Sequence, residues 1–168
     1  MRRLLTVLLC GAALLAAADR RAPGFSLVDS KGSEHDLADY RGKPVLLAFI
    51  QSTCPHCATF AENLQKLREK FGDKVAILAV VTPPDDPGKV NAFIAGHKIT
   101  FPILFDSGQM SYSYVLSQKL TFPRLFVIDG GGTIQAEYEF SPVSADVFEG
   151  NALEPALGRM LAAPASRK

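Results

Sequence analysis

This 168-residue chain has no tryptophan, three histidines and three cysteines. That scarcity excludes a zinc centre, which needs about four ligands. His35 and His97 are the only histidines outside Cys54-Pro55-His56-Cys57, so no histidine pair at ligand spacing can complete a site with those cysteines. An excess of charge of one sign is lacking too. Lys and Arg number 18 against 17 Asp and Glu, so there is neither a nucleic-acid footprint nor a polybasic membrane patch. Internal repeats and a second domain are absent. No apolar run reaches the about 20 residues of a spanning helix.

What apolar run there is lies at the start. Met1-Arg2-Arg3 leads into Leu4–Leu15 and then Ala16-Ala17-Ala18 before Asp19. A basic opening, a short apolar stretch and an A-x-A site are the marks of a secretory signal peptide cut after Ala18. Cys10 then leaves with the peptide. So do Arg2 and Arg3 but no acid, and 16 basic residues remain against 17 acidic ones. The expected organisation is a signal peptide over 1–18, one domain over 19–161 and a frayed tail over 162–168. The expected location is extracytoplasmic, in a bacterial periplasm, with membrane attachment only if the signal segment is retained. The mature chain keeps only Cys54 and Cys57, and in an oxidising compartment such a pair forms a disulfide unless something reduces it.

Short apolar runs alternate with helical stretches, which predicts an α/β layer fold. Phe25–Val28 and Glu34–Leu37 flank Asp29-Ser30-Lys31-Gly32 as an opening hairpin. Val45–Ile50 and Val75–Val81 are continuous apolar runs, suited to strands covered on both faces. Between them Phe60, Leu64, Leu67 and Phe71 recur at helical spacing, and Gly72 supplies the stop. A helix near Lys89–Lys98 and a short strand at Phe101–Asp106 follow. Ser107–Lys119 reads as a polar, tyrosine-bearing stretch. Thr121–Asp129 and Thr133–Phe140 form a hairpin through Gly130-Gly131-Gly132, and one last helix is expected over Ser144–Leu161. His35 and His97 read as solvated surface residues.

Cys54 falls directly after a buried strand, at the opening of a helix. Free N–H groups and the positive end of the helix dipole favour a thiolate there. Cys57 lies one turn on, shielded and within reach of it. Pro55 suits the first helical turn, having no N–H to lose, and His56 can add positive charge beside Cys54. The pair is built to attack a disulfide, form a mixed disulfide and be released by its own neighbour. As a structural staple it would close almost no loop and stabilise little.

These residues sit in a wider pattern. Phe25-Ser26-Leu27, Gly42-Lys43-Pro44-Val45-Leu46-Leu47, Cys54-Pro55-His56-Cys57, Phe101-Pro102-Ile103-Leu104-Phe105-Asp106 and Phe122-Pro123 before Phe126-Val127-Ile128-Asp129 together resemble the TlpA/ResA branch of the thioredoxin superfamily, kin to the AhpC/TSA family. The resemblance spans Phe25 to Ile134. It implies a thioredoxin-like α/β fold: a central mixed sheet with helices on both faces and an N-terminal hairpin. It also implies a cis bond at Pro123 facing the cysteines, with Phe122, Pro123 and Arg124 receiving a substrate peptide. No cofactor or metal is implied. Partners are client proteins bearing thiols or disulfides and a redox partner protein. Three departures stand out. Thr53 replaces the usual tryptophan before the first cysteine, Ala48 the buried acid six residues before it, and Phe60 the glutamate three residues after the second. Glu62 is expected to face solvent. The route by which Cys57 loses its proton is left open.

The leading expectation is an enzyme exchanging disulfides with other exported proteins. A thiol peroxidase is the alternative. Its P-x-x-x-[ST]-x-x-C pattern would need proline at 47 and Ser or Thr at 51, where Leu47 and Gln51 stand. A thioredoxin-fold binding module would be expected to lose a cysteine, and both are kept. The family points to a reductant, whereas Cys-Pro-His-Cys is the motif of DsbA-type oxidants.

Overall fold

The computed structural model describes residues 20–116 and 120–162. The expected signal segment over 1–18 and all of the expected tail beyond Ala162 lie outside the described residues.

Val45–Phe49 (β4) is buried at every position, and so is Ala76–Val81 (β5). Strands that are apolar throughout belong at the centre of a sheet covered on both sides. β4 pairs parallel with β5 and antiparallel with Arg124–Ile128 (β7), itself buried throughout. Outward from β7 come Thr133–Glu139 (β8) and then Arg20–Arg21 (β1), and beyond β5 lies Ile103–Phe105 (β6). The mixed sheet thus runs β1-β8-β7-β4-β5-β6. Ser26–Val28 (β2) and Glu34–Asp36 (β3) form a separate antiparallel hairpin. The bridge between Asp29 and Leu104 lays this hairpin along β6, where Ser30 N–H donates to the Ile103 carbonyl at 3.0 Å.

The alternation of side chains across these strands divides the core in two. Leu46, Ala48, Ile77, Ala79, Leu125 and Val127 face Pro55–Phe71 (α1), Pro87–His97 (α2), Ala145–Glu149 (α4) and Leu153–Ala162 (α5). Leu47, Phe49, Leu78, Val80 and Phe126 face the other way, against Phe25, Leu37 and Gln109–Tyr114 (α3). Helices therefore lie on both faces of a mixed sheet, with an N-terminal hairpin, as the sequence implied.

Three local expectations change. The polar stretch after Asp106 contains α3, whose Met110 and Tyr114, four residues apart, fill the second core. The buried Asp106 carboxylate accepts from Met110 N–H at 3.1 Å and Ser111 N–H at 3.3 Å, which starts the helix. The single final helix is two, α4 and α5. The chain breaks at Gly150, where a Cβ would run into the side chain and carbonyl of Asp146. His35 and His97 are partnered rather than simply solvated. His35 bonds Tyr40 Oη at 2.5 Å and Asp29 Oδ2 at 3.1 Å, while His97 meets Glu62 Oε1 at 2.8 Å.

Candidate active site

α1 begins where β4 ends, and its N-cap is Cys54 itself. The Cys54 sulfur accepts the Cys57 N–H at 3.3 Å, occupying the place a serine or threonine oxygen takes at an ordinary helix start. Pro55 is the first helical residue. Cys54 is half-buried, Cys57 is fully buried, and both are free thiols. Burial pushes the Cys57 thiol far above its ordinary value. The neighbouring Cys54 sulfur raises it further, a backbone hydrogen bond from Gln51 works the other way, and the Asp85 carboxylate adds a small upward push. The two sulfurs therefore differ in access, and the buried Cys57 thiol holds its proton.

The surroundings come from distant parts of the chain. Asp85, in the loop before α2, accepts Ser52 N–H at 2.8 Å with Oδ2 and the Ser52 hydroxyl with Oδ1. This fastens the loop that leads into Cys54. His56 Nδ1 lies 2.6 Å from Glu149 Oε1 at the end of α4, and its ring stacks on Phe140 with centroids 4.2 Å apart. Sequence reasoning named His56 but missed Asp85, Glu149 and Phe140, which lie 33, 93 and 84 positions from the residues they touch.

The Phe122–Pro123 peptide bond is cis, as is Pro83–Pro84. Arg124 is in register with Phe49, so Pro123 stands just past the end of β4, at the end of the sheet where α1 starts. Pro123 is buried and its carbonyl accepts Phe140 N–H at 3.2 Å. Phe122 packs against both cores. Arg124 opens β7, and its guanidinium is buried beside Glu137 Oε1 at 3.1 Å and Glu139 Oε2 at 3.0 Å. Cys54, Pro55, His56, Cys57, Phe122 and Pro123 thus gather at one end of the sheet, while the Arg124 side chain turns inward. Ala48 and Cys57 belong to the same buried core, and Phe60 packs edge-on against Phe148. Among the described residues no cluster of three or more His, Cys, Asp and Glu side chains could hold a metal ion.

A sequence model of the AhpC/TSA family matches residues 18–137. The chain belongs to the AhpC/TSA family. This AhpC/TSA protein is 32% identical over 118 residues to the thioredoxin-like protein YneN of Bacillus subtilis, covering 69% of this chain and 68% of that one. It is 31% identical over 115 residues to the thiol-disulfide oxidoreductase ResA of Geobacillus kaustophilus, covering 68% and 64%. The chain therefore spans about two thirds of the length of these relatives. Among solved structures, a candidate thiol:disulfide interchange protein DsbE of Chlorobium tepidum superposes with a TM-score of 0.69 at 27% identity, over 83% of this chain and 97% of that one. With these relatives and the thiol pair at the head of α1, the AhpC/TSA protein is a thiol–disulfide oxidoreductase of thioredoxin-like fold.

Proposed function

We propose that this protein is exported and exchanges disulfides with extracytoplasmic client proteins, Cys54 attacking and Cys57 resolving. The observation that carries this reading is the asymmetry of the pair: an accessible sulfur capping a helix N-terminus beside a buried thiol one turn inside. To oxidise a client, the Cys54–Cys57 disulfide is attacked at Cys54 by a client thiolate, and Cys57 leaves as thiolate and takes up a proton. A second client thiolate then attacks the client sulfur of the mixed disulfide, closing the client disulfide and releasing Cys54. Reduction is the reverse. Cys54 attacks the client disulfide, and Cys57 gives up its proton and attacks Cys54 to release the client.

Phe122 and Pro123 offer the client backbone a place to lie as an added strand, and Arg124 anchors that loop from inside β7. Pro55 starts the helix whose Cys57 N–H donates to the sulfur. His56, when protonated, and the positive end of α1 both favour the Cys54 thiolate, which exists only in the reduced protein. Stabilising the reduced form makes the disulfide more oxidising, by about 30 mV for every ~1.4 kcal/mol. The potential should therefore lie above the roughly −270 mV of thioredoxin.

Replacing Cys57 with Ser should trap clients as mixed disulfides through Cys54, and Cys54→Ser should trap none. Equal trapping by both variants would overturn the assigned roles. Insulin reduction without peroxide consumption separates this activity from that of a thiol peroxidase.

A further inference from the structure

His56 is held from outside its own helix. A carboxylate only accepts, so the 2.6 Å contact has His56 Nδ1–H donating to Glu149 Oε1, while the ring lies on Phe140 at an interplanar angle of 30°. Both holders sit on the segment between β8 and α5, and that segment is locked to α1. Phe148 is fully buried against Phe60, ring centroids 4.9 Å apart, and its carbonyl accepts from Asn63 Nδ2 at 3.0 Å. Phe140 lies 5.7 Å from the same Phe148 ring. Packing does not require the ion pair itself, for the His56 and Glu149 side chains are 54% and 37% exposed and each could be hydrated instead.

We propose that Glu149 is a positioning residue for the redox couple: by holding the imidazole of His56 and offsetting its charge, it lowers the potential that the Cys-Pro-His-Cys motif would otherwise set. The proposal rests on the reading of Cys54 and Cys57 as an exchanging pair. An imidazolium alone acts on the Cys54 thiolate as a full charge. Paired with a carboxylate at contact distance it acts as a short dipole, whose field falls off faster, because the two Coulomb contributions have opposite sign and nearly equal range. The oxidised pair carries no thiolate to feel either. The difference therefore falls on the reduced state, where it shifts the equilibrium between dithiol and disulfide.

The test is glutathione equilibration of wild type, Glu149→Gln, His56→Asn and the double variant near pH 6, where an ordinary imidazole is mostly protonated. Glu149→Gln should move the equilibrium constant roughly threefold toward the reduced protein. At ~30 mV per tenfold, that is about 14 mV more oxidising. In the His56→Asn background the same substitution should move it little. No shift, a shift toward the oxidised form, or a shift that survives His56→Asn would overturn the proposal. A protein whose cysteines fail to equilibrate with glutathione at all would overturn the underlying reading of the pair, and this proposal with it.

Discussion

Cys57 illustrates how burial, more than any other influence on it, sets a thiol apart from an identical neighbour. Its thiol keeps its proton in the folded protein at pH values where an unfolded cysteine, near 8.5, has released it. Above that point the unfolded state binds fewer protons than the folded one, so stability falls as pH rises. Reduced protein should therefore lose stability upward from about pH 8.5, by at most ~1.4 kcal/mol per unit from this one group. Urea unfolding of the dithiol form between about pH 8 and 9.5 checks this, with Cys57→Ala expected to flatten the slope. Burial also lifts the Tyr40 and Tyr114 hydroxyls above their ordinary values, which is why the variant serves as control. At this scale the sequence was legible where chemistry is local. Cys54, Pro55 and Cys57 declare themselves because a helix start, a missing N–H and one helical turn are short-range facts. The partners of His56 and Ser52 were not legible, since no spacing rule relates residue 56 to 149 or 52 to 85. Phe60 departs from the resembled pattern for a reason visible only in the structure: it packs on Phe148 and so fixes the helix that carries Glu149.

Among the elements, α1 and α4 form the working unit. Phe60 is fully buried between them, and its replacement by alanine should cost about 3–5 kcal/mol, as large aromatic-to-alanine changes in cores do. The loss should also free α4, so His56 loses its holder along with the stability. Thermal unfolding measures the first effect and the glutathione equilibrium the second. Gly150→Ala should destabilise too, because the added methyl collides with Asp146 across the break between α4 and α5. Continuous apolar strands such as β4 and β5 could be read from the sequence without error of type, since burial on both faces leaves no polar positions. α3 could not, because only two of its six residues are buried and its tyrosines and serines look like a loop. The α4–α5 break was equally hidden. It falls at Gly150, where the close approach of Asp146 leaves no room for a Cβ, and not at a change in hydrophobic pattern.

On the scale of the whole molecule, the site lies beyond the carboxyl ends of the parallel strands β4 and β5, the usual place for chemistry in open α/β sheets. At the opposite margin, Arg20 of β1 reaches Glu137 Oε2 at 3.6 Å and donates to the Tyr114 carbonyl at 2.9 Å, tying the first described strand to both β8 and α3. Deleting Arg20 and Arg21 should leave the two cores intact yet bare the outer ladder of β8. Sedimentation should then show self-association rising with concentration, against a monomer-like profile for protein beginning at Asp19; unchanged sedimentation would dismiss the role given to this strand.

The sheet's two flanks share a property that follows from their brevity. β1 is two residues long and carries two arginines, while β6 is three residues long and has the Asp29 hairpin laid against it. Unpaired strand edges recruit other extended chains, and short, charged or covered ones do not. If this oxidoreductase exchanges disulfides with client proteins, as proposed, it holds their chains close at high local concentration. With both flanks closed to lateral strand pairing, it can grip them at the tip of α1 and let go again, instead of becoming the seed of their aggregation.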